Sequence, residues 1–272
     1  MCLFASLPEM NSESSALSPL SLLPATQELF RADSYLQTCD ATVLAVTDAG
    51  IVLDRTVFYP LGGGQAGDAG LLRCADGRSI AIVDTRKAKS EDGQPLPLVL
   101  HVPAQQDHGL RTGDQVTAAI DWSRRHRLMR LHTASHVLCH LVPHLVNGCS
   151  ITPDQARIDF VTNEAVDKDA VTAGLAAIVA QALPVQISSI TDAELDANPA
   201  LVKSMSVQPP RGSGRVRTVR IGGDGTGDMP AVDFQPCGGT HLANTSEIGA
   251  IVISKTEKKG ANSRRVILAF AL

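Results

Sequence analysis

Two short segments of this chain each carry a pair of side chains that can bind a metal ion. His132 and His136 stand four residues apart in the first segment, and Cys237 and His241 stand four residues apart in the second. On a helix this spacing places both side chains on one face, so each segment can present two ligands to one point. Three imidazoles and one thiolate suit a tetrahedral Zn²⁺ ion, which predicts one zinc site per chain.

The register of the first pair is ambiguous, because four histidines spaced four residues apart share one helical face: His132, His136, His140 and His144. Pro143 disturbs the helix before the last of them, which favours the first two as ligands. Thr133 stands where a zinc metalloprotease carries its general-base glutamate, so a peptidase is disfavoured. Three histidines and one cysteine also fill all four positions of a tetrahedral zinc shell. Such a shell is typical of a structural zinc, but a catalytic zinc remains an alternative if one ligand yields to substrate. The remaining alternative is that these residues serve packing.

Glycines accompany the second pair and recur in a separate segment. In Cys-Gly-Gly-Thr-His, Gly238 and Gly239 allow the backbone to turn closely around a ligand, and the amides up to Thr240 can stabilise an oxyanion. The separate segment consists of Gly62, Gly63, Gly64 and Gln65, whose side-chain amide can recognise a substrate. It matches neither a dinucleotide-binding fingerprint nor a Walker loop. Each glycine run alone is equally typical of a tight turn.

Basic side chains cluster near both ligand pairs. Residues 1–122 carry 8 Lys and Arg against 15 Asp and Glu, whereas residues 123–272 carry 16 against 13. The clusters lie at 124–130, 211–220 and 258–265, and Arg130 and Arg264 are the members that we nominate as substrate contacts. Clusters that bracket a metal site fit the phosphate backbone of a nucleic acid, although a solvated helix face explains any one of them. With only 3% aromatic residues, we expect contact mainly with the backbone and ends of the nucleic acid.

The bulk composition, 44% hydrophobic and 19% charged over 272 residues, is ordinary for one large or two smaller globular domains. The N-terminal residues lack the basic region of a secretory signal and no apolar run reaches the length of a membrane span, so no membrane partner is expected. The six cysteines lack a framework spacing, which favours the reducing cytoplasm and leaves Cys237 available as a thiolate. The oligomeric state stays open.

The pattern of the chain changes near residue 122, where we place a domain boundary. Residues 1–25 lack periodicity and predict a disordered leader. Residues 26–122 predict short strands, typical of a small β-barrel or sandwich, at 41–46, 51–54, 79–84, 96–102 and 115–121. Residues 123–272 predict two helices, at 123–146 with Asp121 or Ser123 as N-cap and at 163–183 with Asn163 as N-cap. Strands are predicted at 156–161, 185–189, 215–221, 250–255 and 264–270, so the fold class is α+β.

Four motifs follow one another along the chain: Phe-Tyr-Pro-Leu-Gly-Gly-Gly-Gln-Ala-Gly-Asp, Leu-His-Thr-Ala-Ser-His, Gln-Pro-Cys-Gly-Gly-Thr-His and Glu-Ile-Gly-Ala-Ile. In this order they resemble the freestanding alanyl-tRNA editing proteins (AlaX-like) and the editing domain of alanyl-tRNA synthetase. The resemblance begins near residue 26, extends to the C-terminus, and is specific in its combination. It implies a zinc-dependent aminoacyl-tRNA deacylase that hydrolyses mischarged alanine tRNA in trans, chiefly Ser-tRNA(Ala), with Gly-tRNA(Ala) as a second candidate substrate.

The resemblance also implies roles for individual residues and regions. The zinc ligands would be His132, His136, Cys237 and His241, and residues 62–65 would discriminate the amino acid. Residues 26–122 would form a β-barrel-like domain with the glycine-rich loop. Residues 123–272 would form a two-layer α+β editing core of the threonyl/alanyl-tRNA synthetase second-additional-domain type.

Such an enzyme has a physical rationale, because a pocket for alanine rejects serine poorly and a second site must sort the products. A polar group that pairs with the serine hydroxyl favours serine, and Gln65 is our candidate. We expect water to attack the ester carbonyl near zinc while amides of residues 238–240 stabilise the oxyanion. Whether zinc activates the water or only positions the substrate is left open.

Two other functions remain as alternatives. The closed ligand set fits a zinc-stabilised tRNA-binding module without catalysis. A tRNA-charging enzyme is disfavoured, because the chain lacks the length and the motifs of an ATP-binding core. A DNA partner is not expected.

Overall fold

A computed structural model describes residues 19–209 and 214–271 of the chain, and these residues form an α+β fold of the predicted class. Most of the predicted leader, residues 1–18, lies outside the described residues. Its last part departs from the prediction, since Pro19–Leu22 form a short 3-10 helix. No helix among the described residues is long and apolar enough to cross a membrane.

Short strands account for most of the regular structure before residue 122. They are β1 (Gln27–Glu28), β2 (Thr38–Thr47), β3 (Gly50–Leu53), β4 (Arg55–Thr56), β5 (Gly70–Cys74), β6 (Ser79–Lys89), β7 (Pro95–Pro103) and β8 (Gln115–Ile120). Six of them close into a barrel in the order β2-β3-β7-β6-β5-β8. Alternating residues of β6, such as Ile80 and Ile82, point into a core that Phe58 and Leu72 also fill.

Helices and strands alternate irregularly after residue 121. The elements are α1 (Trp122–Leu141), β9 (Val146–Ile151), β10 (Gln155–Phe160), α2 (Lys168–Ala180), β11 (Val185–Thr191), α3 (Asp192–Ala197), β12 (Arg215–Gly222), β13 (Ala231–Pro236), β14 (Ile251–Gly260) and β15 (Ser263–Phe270). The strands form two antiparallel sheets, a four-stranded sheet β14-β15-β10-β9, which combines the first and the last strands of this region, and a three-stranded sheet β11-β12-β13. Helix α1 packs against α2 and against strands of both sheets, with Leu128, Leu131 and Val137 fully buried.

The ends of the helices follow local capping chemistry. Asp121 caps α1 as predicted, because its side chain accepts a hydrogen bond from the Arg124 amide. The helix ends at Leu141 rather than at 146, since the residue before Pro143 is disfavoured in helical conformation. The prediction that Asn163 begins the second helix was wrong: Asp167 caps α2 by accepting from two backbone amides of its first turn.

A buried ion pair joins the barrel to α1. Arg125, in the first turn of α1, donates to both carboxylate oxygens of Asp68, and both side chains are completely buried. The same guanidinium donates to the carbonyls of Ser34 and Val57, and the Tyr59 amide donates to Asp68. All of these partners precede residue 122, so the helix is fixed to the barrel by charge-assisted hydrogen bonds in a dry environment.

We expect Asp68→Asn to lower the free energy of unfolding by about 3–5 kcal/mol, because it leaves the Arg125 charge buried without a counter-charge. Urea denaturation at neutral pH measures this change. Asp76→Asn is the matched control: Asp76 pairs with Arg78 on the surface, where an ion pair contributes little. Equal stability of Asp68→Asn and the wild type would show that the buried pair does not hold the helix.

Candidate metal centre and active-site cavity

The first pair of predicted ligands lies on the buried face of α1. One helical turn separates His132 and His136, so both imidazoles leave the helix in nearly the same direction and their centroids lie 5.3 Å apart. Each side chain is about 5% exposed. His140, one turn further, is exposed at the end of the helix and is not part of the cluster of four ligands.

The second pair lies on the segment that follows β13, residues 237–241, here called the cysteine loop. Cys237 Sγ lies 3.5 Å from His132 Nε2 and 3.3 Å from His241 Nε2. The four side chains offer one ligand atom each, and these atoms all lie within 4.8 Å of one another. The structure therefore brings together the four residues that the sequence nominated, and it does so with three nitrogens and one sulfur facing a common centre.

Each of the three imidazoles is held at its other ring nitrogen, Nδ1, by a separate polar side chain. The contacts are His132 to Gln65 Oε1 at 2.7 Å, His136 to Asp233 Oδ2 at 2.7 Å, and His241 to Thr133 Oγ1 at 3.2 Å. An Nδ1–H that donates to these oxygens leaves Nε2 without a proton and directed at the centre. This is the tautomer that a metal-binding histidine needs, so the site fits Zn²⁺ in donor type, number and orientation.

The electrostatics of the centre suit a thiolate, but they do not hold every imidazole neutral. Although burial lowers the pKa of His136, the negative charge of Cys237 and the hydrogen bond to Asp233 outweigh burial and raise that pKa to about 9, so zinc would displace a proton from this ring. Burial alone would raise the pKa of the Cys237 thiol, but the charge of His132, followed by His241 and His136, outweighs burial and holds the pKa well below its usual value. Burial and the neighbouring His132 lower the pKa of His241 to about 3, which keeps this ring neutral. Thiolate and neutral imidazole are the forms that bind zinc.

Gln65 belongs to the glycine loop, residues 62–65, and it is completely buried behind His132. Its carbonyl oxygen accepts from His132 and from the Thr240 amide at 3.1 Å, while its Nε2 donates to Thr240 Oγ1 at 2.8 Å. Three of its four hydrogen-bonding positions are thus used inside the protein. The structure places Gln65 and Thr240 together, as supports of the metal centre, and not on the wall of the cavity.

The glycine loop is fixed on both sides. Gly64 adopts a positive φ of 86°, and a Cβ there would lie 2.9 Å from the Cys149 carbonyl, so the close contact with β9 requires glycine. The Ile151 amide donates to the Gly64 carbonyl at 2.7 Å. Beyond the loop, Arg124 binds the Gly67 carbonyl and Arg125 binds Asp68. These contacts set the position from which Gln65 reaches His132.

The cysteine loop supplies fewer free amides than the sequence suggested. Gly239 lies so close to the centre that a Cβ would lie 2.1 Å from His132 Cε1. Its amide faces Cys237 Sγ at 3.4 Å, and the Thr240 amide donates to Gln65. Among residues 238–240, only the Gly238 amide has no partner in the described part of the chain. The Gly239 and Thr240 amides already have partners, so of the three predicted oxyanion donors Gly238 is the one that stays available, and its role stays a prediction.

A cavity of about 540 Å³ opens over the centre. Gly62 and Gly63 form one wall, His132 and His136 reach it from α1, and Gly238 and Gly239 form part of another wall. Its remaining charged lining residues are all basic: Arg31, Lys87, Lys203, Arg215 and Arg217. No Asp or Glu of the described residues lines the cavity, so it suits a substrate with negative charge.

The two arginines that we nominated as substrate contacts lie elsewhere. Arg130 donates to the Ile248 carbonyl at 2.8 Å and stacks on Phe270, because two residues of helix rotate it by about 200° from His132. Arg264 binds the backbone of the β14–β15 turn and the Asn163 carbonyl. Neither lines the cavity, so the structure does not place them beside the metal centre, and their contact with the substrate stays a prediction. Arg211, from the same basic clusters, lies outside the described residues.

Other residues of the site were missed in the sequence. Asp233 and Thr133 hold His136 and His241, respectively. Lys203, which lines the cavity, donates a hydrogen bond to Asp233, with 2.5 Å between its Nζ and Oδ1 of the carboxylate. Thr133 lies inside a motif already singled out, and Asp233 stands four residues before Cys237, so their proximity in sequence was a usable signal. Arg31 and Lys203 carry no such signal, since only the tertiary fold brings them to the cavity.

Comparison with known proteins extends over most of the chain. Residues 216–267 match the family described as threonyl and alanyl tRNA synthetase second additional domain, and residues 26–124 match tRNA synthetases class II (A). The alanyl-tRNA editing protein AlaX-M of Saccharolobus solfataricus is 33% identical over 89% of this chain and 97% of its own length. AlaX-M of Methanosarcina barkeri is 34% identical over the same shares.

A longer relative shares the same region. The alanine–tRNA ligase of Sulfurisphaera tokodaii is 33% identical over 87% of this chain, which corresponds to 25% of the ligase. The AlaX-M proteins, in contrast, match from end to end within a few per cent of their length. The chain therefore belongs to the AlaX-M family of alanyl-tRNA editing proteins.

Proposed function

We propose that this protein is a zinc-dependent deacylase that hydrolyses the ester of mischarged alanine tRNA, chiefly Ser-tRNA(Ala), with Gly-tRNA(Ala) as a second substrate. The family relationship supports editing of alanyl-tRNA as the function. One zinc ion per chain would be held by His132, His136, Cys237 and His241. The protein would act in the cytoplasm, because its substrate, charged tRNA, is made there.

The observation that carries this proposal is the position of the metal centre at the base of a basic cavity. The four side chains would fill a tetrahedral zinc shell, as in a structural site. What favours a role in binding substrate is that the centre shares its cavity with Gly62, Gly238 and Lys203. The cavity volume also falls in the range of small-molecule sites. Because its charged lining is entirely cationic, a nucleotide carrying an ester is a better candidate than a peptide.

The residues of the site would contribute to ester hydrolysis by holding zinc and by stabilising the negative charge that forms on the carbonyl oxygen. When bound, zinc would supply positive charge that polarises the ester or orients the attacking water. The Gly238 amide is available to donate to the oxyanion that forms at the carbonyl carbon. Gln65, Asp233 and Thr133 keep the imidazoles oriented, so little rearrangement is needed when substrate binds.

The basis of serine selectivity also follows from polar contacts. A substrate hydroxyl favours binding where it completes hydrogen bonds that alanine would leave unmade. Gln65 was our candidate for this contact, and one of its N–H groups remains available. The other three hydrogen-bonding positions of the Gln65 side chain are occupied by hydrogen bonds to His132 and Thr240. These bonds support a role for Gln65 in orienting the metal ligand His132.

We expect the wild-type protein loaded with zinc to deacylate Ser-tRNA(Ala) and to spare Ala-tRNA(Ala). His132→Ala removes a ligand and should lower kcat/KM by roughly 10²-fold or more, since a metal contributes several kcal/mol to transition-state stabilisation. Release of labelled serine measures the rates. His140→Ala, on the same helix but exposed, should retain wild-type activity.

Three outcomes would contradict the proposed function. Tight binding of Ser-tRNA(Ala) without release of serine would identify a tRNA-binding module. Charging of tRNA that depends on ATP would identify a synthetase-like activity. Equal deacylation of Ala-tRNA(Ala) would exclude proofreading.

We expect Gln65→Ala to weaken zinc affinity by about 10- to 100-fold, as loss of an outer partner of a metal-binding histidine does. Competition with a chromophoric chelator measures the affinity. The preference for Ser-tRNA(Ala) over Ala-tRNA(Ala) should persist at saturating zinc. Gln106→Ala, a surface change on the barrel, is the control. Unchanged zinc affinity together with a lost preference would instead assign Gln65 to serine recognition.

A further inference from the structure

Arg217 is a cation on the cavity wall whose hydrogen-bonding capacity is largely unused. Its Nη1 donates to the Cys237 carbonyl at 2.6 Å. Its Nε and Nη2 are shielded from solvent and have no hydrogen-bond partner among the described residues. Buried donors without partners are uncommon in native proteins and indicate a group that completes the site.

A second guanidinium lies beside it. Arg31 Nη1 lies 3.6 Å from the position that a Cβ of Gly238 would occupy. Burial lowers the pKa of Arg217, and the charge of Arg31 lowers it further, as expected for like charges that share a small space. Arg31 and Lys87 share one carboxylate, Glu28. This corner of the cavity therefore carries an excess of positive charge.

We propose that Arg217 and Arg31 form a binding site for the phosphodiester on the 5′ side of the terminal adenosine of the substrate tRNA. This inference rests on the proposed function. An aminoacyl ester has no free carboxylate, and its amino group is a cation. The anion nearest the ester is thus that phosphodiester, which lies one ribose away from it.

The geometry agrees with this assignment. Arg217 donates to the carbonyl of the ligand residue Cys237, so its guanidinium lies next to the metal centre, and Arg31 Nη1 lies close to Gly238. Both arginines line the cavity that opens over the centre, so a substrate whose ester carbonyl lies at the centre can place its phosphate, one ribose away, against this pair. Guanidinium groups are the side chains best suited to phosphate, because they can donate two parallel hydrogen bonds. Binding the anion also offsets the repulsion between the two cations.

The test compares two stable ligands, 3′-serylamido-3′-deoxyadenosine with a free 5′-hydroxyl and the same compound carrying a 5′-methyl phosphodiester. Calorimetry with the zinc-loaded protein should show that the phosphodiester tightens binding about tenfold or more, the range of charge-assisted hydrogen bonds. In Arg217→Gln, which keeps a donor for the Cys237 carbonyl, the two ligands should bind within about threefold of each other. Arg31→Gln should reduce the difference as well.

Arg220→Gln is the matched control, because Arg220 lies on the same strand, stacks on Phe234 and does not line the cavity. It should keep the full difference between the two ligands. Arg217→Gln that weakens both ligands equally would show that Arg217 only supports the cysteine loop, and would overturn the inference. Equal binding of both ligands by wild-type protein that deacylates Ser-tRNA(Ala) would overturn it as well, while leaving the proposed function intact. Failure to bind either ligand or to deacylate tRNA would refute both.

Discussion

The buried ion pair between Asp68 and Arg125 is the constraint on which the metal centre depends. Both charges are removed from water, a change that costs several kcal/mol per ion unless each finds compensating partners. The guanidinium satisfies this condition by binding Asp68 and two backbone carbonyls from before residue 122. The pair therefore has one low-energy arrangement, and that arrangement fixes the first turn of α1 against the barrel.

The position of the metal ligands follows from this attachment. Asp68 stands three residues after Gln65, and Arg125 stands two helical turns before His132, so a fixed distance between the charged residues sets the distance between Gln65 and the imidazole. Asp233 and Thr133, which both lie in the second half of the chain, orient His136 and His241 in the same way, by a hydrogen bond to Nδ1. The centre is thus oriented by groups from both halves, although all four ligands lie after residue 122. Preorganisation of this kind reduces the rearrangement that catalysis would otherwise require.

The sequence was most informative where chemistry depends on short spacings. A separation of four residues was enough to nominate the ligands, and Asp121 was enough to begin α1. The helical argument holds for His132 and His136, whereas Cys237 and His241 come together on a loop and not on the helix face that the spacing suggested. Asn163 did not predict where α2 begins, since Asp167 stands closer to the first apolar turn and is the N-cap of the helix. The charge clusters predicted the cavity only in part: Arg215 and Arg217 line it, whereas helical rotation and strand pairing direct Arg130 and Arg264 elsewhere. Arg31 and Lys203 reach the cavity through tertiary contacts that leave no local pattern.

The central claim is that a single zinc ion is held by three histidines and one cysteine drawn from two distant segments. X-ray absorption spectroscopy of the zinc-loaded protein tests it most directly. The expected spectrum has three nitrogen neighbours at about 2.0–2.1 Å and one sulfur neighbour at about 2.3 Å. A zinc shell without sulfur, or one that is unchanged in Cys237→Ser, would contradict the account.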